Sequence, residues 1–361
     1  MIRIFIVTYC LLHAVFLNAQ KYDYGFYSNI SRGKLVKHNS KVKNLSLSPA
    51  IFIETGIRLQ TIGTEEWERR YRKPSINLGF TFTNYGNVHL GHSVGLYTGF
   101  IIPLVCVKEQ FNLDFNLGFG LAYLNKTAAN DTVNNMIGSH LNNITRVGLQ
   151  AEYQITDNIA ASLLATAIHS SNGSFNKPNL GINLLTTGIG INYKFKTRKK
   201  QLNTKQDSTF KRKLLLESNV MYGISQYYIG PKHQQSFCLT VLPKIQLSRY
   251  ITLGMGTTVE YNTAAKYYLK QNNNVVTFRK ELRSSFYTQL DLYLGHFSVF
   301  YGKGIYLQDY IKIRPTFDTF GVNYHLQSTS ETFHHNCFIG FGVKAHKFVA
   351  EYPYVKCGVI F

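Results

Sequence analysis

From Ser48 to Phe361 the chain repeats one unit: a run of about ten or more residues with alternating apolar and polar side chains, closed by a turn rich in Gly, Asn, Asp or Lys. A period of two belongs to strands whose two faces meet different surroundings. The runs are Ser48–Thr61, Ser75–Asn84, Ser93–Cys106, Asn112–Leu124, Ile144–Thr156, Ile159–Ser171 and Gly181–Phe195 in the first half. The second half supplies Leu214–Tyr228, Ser236–Tyr250, Thr252–Tyr261, Leu282–Leu294, Phe297–Leu307, Phe317–Leu326, His334–Lys347 and Val349–Phe361. Gly181–Phe195 illustrates the parity: Leu185, Ile189, Ile191, Tyr193 and Phe195 fall on one face, and Thr186, Gly188, Gly190, Asn192 and Lys194 on the other. So many long strands with one apolar face predict an all-β, antiparallel, transmembrane β-barrel. Some of the fifteen runs should merge or drop out, because single-chain bacterial barrels have an even strand number; we expect about 14 strands, within a range of 12 to 16.

The N-terminus supports export. Arg3 precedes the apolar runs Ile4–Val7 and Leu11–Leu17, and Leu17-Asn18-Ala19 offers a cleavage point before Gln20, which reads as a signal peptide over 1–19. No later stretch offers about 18 uninterrupted apolar residues for a spanning helix. The last strand ends on Phe361, and a terminal aromatic on an alternating strand resembles the insertion signal of outer-membrane proteins. Cys106, Cys238, Cys337 and Cys357 stand singly in strand-like segments, without metal-ligand spacing, so they read as buried or lipid-facing thiols. The 25 Tyr and 25 Phe suit strands, and 39 Lys+Arg against 19 Asp+Glu, formally +20, favour an anionic partner.

One stretch carries chemistry. His169 and Ser171 lie two apart on a strand, so both project from one face, about 7 Å apart along the backbone. That face also carries Ile159, Leu163, Ala165 and Ala167, which in a barrel would look at lipid. Across the loop containing Pro178 and Asn179, Asn183 has the parity of Leu185 and Ile189, so a hairpin sets it opposite His169. An amide can fix one imidazole nitrogen while the other takes the serine proton. The competing reading places these polar side chains in the headgroup zone, bonded to solvent.

The sequence H-x-S-N at His169–Asn172, followed by P-N-x-G at Pro178–Gly181, resembles the active-site hairpin of the lipid A 3-O-deacylase (PagL) family, small outer-membrane barrels that hydrolyse an ester-linked acyl chain of lipopolysaccharide. The likeness extends more loosely over about Ser48 to Phe195, and Gly138-Ser139-His140-Leu141-Asn142 is similar to longer relatives described as acyloxyacyl hydrolases. The resemblance implies His169 as base, Ser171 as nucleophile and Asn172 at the oxyanion site, with Gly173 and Asn179 in support. The family's acidic third member falls on Asn183, a departure: an amide orients the imidazole without offsetting its charge. Glu152 is a poor substitute, because Val147, Leu149, Ala151, Tyr153 and Ile155 form the apolar face of its strand and turn it inward.

The resulting expectation is an outer-membrane serine esterase acting on lipid A, with no metal or organic cofactor and no nucleic acid as partner. The alternative is a non-catalytic barrel, either a pore or a lipopolysaccharide-binding surface protein. The organisation would be a signal peptide at 1–19, a deacylase-like portion at 20–195, a basic loop at 196–213 and the remaining strands at 214–361. That last portion exceeds the small family members, so it either enlarges the barrel or forms a second barrel-like half.

Overall fold

The structure is a computed structural model that describes residues 22–36, 48–107, 110–195, 210–227, 232–271, 273–310, 314–327, 336–347 and 349–361. The expected signal peptide, and most of the expected basic loop, lie outside the described residues. Among the described residues sixteen strands form two closed antiparallel barrels of eight. The first contains β1 (Tyr22–Leu35), β2 (Ala50–Thr61), β3 (Ser75–Asn84), β4 (His92–Val107), β5 (Phe111–Leu124), β6 (Leu141–Gln154), β7 (Ile159–Ser171) and β8 (Ile182–Lys194). The second contains β9 (Leu214–Ser225), β10 (Gln234–Ser248), β11 (Ile251–Asn262), β12 (Leu282–Leu294), β13 (Phe297–Gln308), β14 (Thr316–His325), β15 (Asn336–His346) and β16 (Val349–Ile360). Short helices α1 (Glu66–Arg70), α2 (Thr263–Gln271) and α3 (Phe278–Glu281) lie in connections.

The expected count of about 14 strands is corrected to sixteen among the described residues, and of the two arrangements left open the second barrel-like half is the one observed. β8 returns to β1, pairing Ile189 with Ile30 and Tyr193 with Phe26, so the first sheet closes on itself. β16 likewise returns to β9, pairing Val355 with Tyr222 and Cys357 with Val220. All fifteen anticipated runs are strands, and the sixteenth, β1, lies before them. Its outward positions include exposed Ser28, Arg32 and Lys34, which hide the apolar alternation that identifies the others.

Both barrels place apolar side chains outside and polar ones inside, the arrangement of a barrel that faces lipid. Phe80 is 66% exposed and Leu163 64% on the first, and Phe341 is 65% exposed on the second. Inside the first barrel Arg58 pairs with Glu152 at 2.6 Å, Arg146 pairs with Glu54, and Asn116 donates to Gln150. The Tyr97 ring lies over Gly118, where any Cβ would collide with it. Inside the second, Lys244 pairs with Asp291 at 2.7 Å and with Glu217, while Arg283 meets Glu351 at 2.5 Å. An eight-stranded barrel is just wide enough for such side chains to fill it. The four cysteines among the described residues are free; Cys238 is buried, and Cys106, Cys337 and Cys357 are exposed on strands.

The described residues pack as two compact units. The first takes those of Met1–Lys126 and Ile182–Gln206 together with His140–Ser170. The second takes Thr127–Ser139, Ser171–Gly181 and the described residues of Asp207–Phe361.

Candidate active site

Strand parity and hairpin register build the site. β7 and β8 pair antiparallel, with Ala167 opposite Leu185, His169 opposite Asn183 and Ser170 opposite Ile182. Along β7 the even positions Ile168 and Ser170 are buried in the barrel, so His169 and Ser171 take the outward face after exposed Leu163, Ala165 and Ala167. The structure brings His169 and Asn183 together, Nδ1 to Oδ1 at 2.6 Å. An amide oxygen only accepts, so the proton of this contact belongs to Nδ1, and Nε2 is left as the basic nitrogen. Ser171 stands two positions further along the same face. Glu152 points into the barrel, where Arg58, Gln150 and Asn192 bind it. Asn183, and not Glu152, is thus the side chain in contact with His169 Nδ1.

The loop after Ser171 is ordered by its own polar side chains. Gly173, Ser174 and Gly181 have φ of +66°, +75° and +74°. Asn172, expected at the oxyanion site, is instead the hub of this loop: its Nδ2 donates to Ser139 Oγ at 2.8 Å and to the Asn176 carbonyl at 3.0 Å. Its Oδ1 accepts from the Ser174 N–H at 3.0 Å. One amide hydrogen is thus committed to Ser139 and the other within the loop. The Asn172 N–H in turn donates to Asn179 Oδ1 at 3.2 Å, which fixes that side chain with its NH₂ as the remaining polar edge. Desolvation by the surroundings pushes the Lys177 ammonium below its usual range, and its Nζ donates to Ser174 Oγ at 3.1 Å.

A second segment braces the loop. Met136 O accepts from the N–H groups of Leu180 and Gly181, and Ile137 bridges to Asn179. Sequence reasoning singled out the Gly138–Asn142 stretch by resemblance but gave Ser139 no role. Its contact with Asn172 spans more than thirty positions, a distance that local pattern does not report. Among the described residues no group of three or more His, Cys, Asp or Glu is placed to hold a metal ion.

Comparisons with known proteins bear on both halves of the chain. Residues 51–192 match the family described as lipid A 3-O-deacylase (PagL), and residues 214–361 match the acyloxyacyl hydrolase C-terminal domain. No curated protein matches. Among solved structures, the outer membrane enzyme PagL is 17% identical, covering 45% of this chain and 97% of its own, with a TM-score of 0.32. Neisserial surface protein A is 14% identical, covering 48% of this chain and 97% of its own, with a TM-score of 0.29.

Proposed function

We propose that this chain, whose residues 51–192 match the lipid A 3-O-deacylase family and 214–361 the acyloxyacyl hydrolase C-terminal domain, is an outer-membrane serine esterase that removes an ester-linked acyl chain from lipid A. The observation that carries this reading is the 2.6 Å contact between His169 and Asn183, with Ser171 two residues away on the same outward face. A nucleophile on the outside of a barrel serves a substrate that lies in the membrane rather than in solution. The connections at this end of the first barrel, 36–49, 85–91, 125–140 and 172–181, are all longer than 108–110 and 155–158 at the other end, where only 62–74, which carries α1, is of comparable length. Long loops face outward in bacterial barrels, which supports a site in the outer leaflet.

In this mechanism His169 Nε2 takes the Ser171 hydroxyl proton as Oγ attacks the ester carbonyl. The tetrahedral oxyanion is held by the Asn179 amide, the donor that the loop leaves available, and by a backbone N–H of the loop such as that of Gly173. Collapse expels the sugar alkoxide, which takes the proton from His169, and water then releases the acyl chain from Ser171. Asn183 holds the imidazole in the required tautomer. Arg32 and Lys34, exposed on the outward face of β1 beside Thr187 and Leu185 of β8, offer cations for the substrate phosphates. Tyr27, Tyr97 and Arg146 across the interior of the first barrel, above a cavity of about 670 Å³ lined by Arg58, Asp114 and Glu152, and Lys244, Arg283 and Tyr287 across the second, disfavour the pore alternative.

A serine-directed fluorophosphonate tests the nucleophile. The expected result is one adduct, mapped to Ser171 by peptide mass and strongly reduced in His169→Ala. An adduct elsewhere, or none on a folded barrel, would contradict the assignment.

A further inference from the structure

Within the second unit, the Ser171–Gly181 loop is gripped by residues from the C-terminal half of the chain. Gln226, directly after β9 and 7% exposed, clasps it at two points. Its N–H donates to the Ser174 carbonyl at 2.9 Å, and its side-chain Oε1 accepts the Lys177 N–H at 2.7 Å. Ser174 Oγ donates to the Ala350 carbonyl on β16 at 2.6 Å. His233 Nε2 meets Asn176 Oδ1 at 2.9 Å, and the His233 ring packs on Phe175 with centroids 4.9 Å apart. Gly173 lies against Pro353, where a Cβ would come within 3.1 Å, and its φ of +66° already favours glycine.

These ties reach the reacting region in few steps. Ser174 donates its N–H to Asn172, Asn172 donates its own N–H to Asn179, and Asn172 directly follows Ser171. Ser174 also holds a φ of +75°, a conformation that a non-glycine residue keeps only where its surroundings impose it. The clasp supplies that imposition. A peptide N–H bonded to a buried side-chain acceptor also has a stringent requirement, because removing the acceptor strands the donor.

We propose that Gln226 is a positioning residue for the deacylation, holding the Ser171–Gly181 loop in the shape that presents Ser171 and Asn179 to the ester. The inference rests on the serine esterase reading above, and assigns the C-terminal domain a part in catalysis rather than in anchoring alone. It acts through the loop, so its loss should lower kcat and leave KM nearly unchanged.

The experiment measures kcat and KM of the full chain in detergent on lipid A in mixed micelles, for wild type, Gln226→Met and Gln226→Glu. Gln226→Met keeps the length of the side chain but removes the acceptor, and should lower kcat roughly tenfold or more, since small misplacements of reacting groups are costly. Gln226→Glu retains an acceptor for the Lys177 N–H and should stay within about threefold of wild type. Heat-modifiable migration should be the same for all three. A Gln226→Met enzyme with wild-type kcat would overturn the proposal, as would a Gln226→Glu enzyme as slow as Gln226→Met. If Gln226→Met does not reach the heat-modifiable form, Gln226→Ala carries the same test, removing the acceptor while opening room for water at the Lys177 N–H: a lower kcat at unchanged KM supports the proposal, and a wild-type kcat overturns it. A folded wild type without turnover or phosphonate adduct would overturn the esterase reading itself, a different result from an active wild type matched by Gln226→Met.

Discussion

At the scale of single residues, an amide in the third position sets what His169 can do. In the proposed mechanism Asn183 fixes the tautomer through the 2.6 Å contact but brings no negative charge to the imidazolium that would form as Ser171 attacks. Asn183→Asp should therefore give a kcat no lower than wild type and up to roughly 10²-fold higher, measured on lipid A in micelles. A tenfold loss would mean that the amide is needed for something besides orientation. His169, Ser171 and Asn183 were legible in sequence because period-two parity and a single hairpin suffice to bring them onto one face. Ser139 and Gln226 were not, since their contacts with Asn172, Ser174 and Lys177 join distant parts of the chain. The bonds of the Asn172 amide to Ser139 and Asn176 were not legible either, since only the folded loop brings these groups together.

Among the elements, strands carry the legible part of the fold. β3, β7 and β12 begin and end at the residues that alternation predicts, Ser75–Asn84, Ile159–Ser171 and Leu282–Leu294. β1 escaped because Arg32 and Lys34 occupy outward positions that other strands fill with apolar side chains. Inward parity is equally informative, since it gathers charges that must find partners inside the barrel. Glu351 of β16 meets Arg283 at 2.5 Å, the Tyr227 hydroxyl at 2.6 Å and His346 Nε2 at 2.9 Å. Glu351→Gln should destabilise the second barrel by about 3–5 kcal/mol, because Arg283 stays buried with less compensation. Urea unfolding followed by heat-modifiable migration would measure it, and an unchanged midpoint would contradict this account of the interior.

For the whole molecule, what sequence did not reveal is where each sheet closes. Alternation specifies which face of a strand meets lipid, but closure depends on β8 finding β1 and β16 finding β9, contacts set by register between distant strands. Two closures predict that a fragment ending at Phe195 folds alone to a heat-modifiable barrel, because it leaves no unpaired edge in lipid. Aggregation of that fragment, with folding restored only by the remaining chain, would count against two independent sheets. The central proposal is that this barrel deacylates lipid A through Ser171. Its most direct test is the mass profile of lipid A from Gram-negative cells expressing the wild type, Ser171→Ala or an empty vector. The account predicts that lipid A from wild-type cells loses the mass of one acyl chain, and that Ser171→Ala, folded to the same heat-modifiable form, matches the empty vector. Identical profiles for all three, or deacylation persisting in Ser171→Ala, would contradict it.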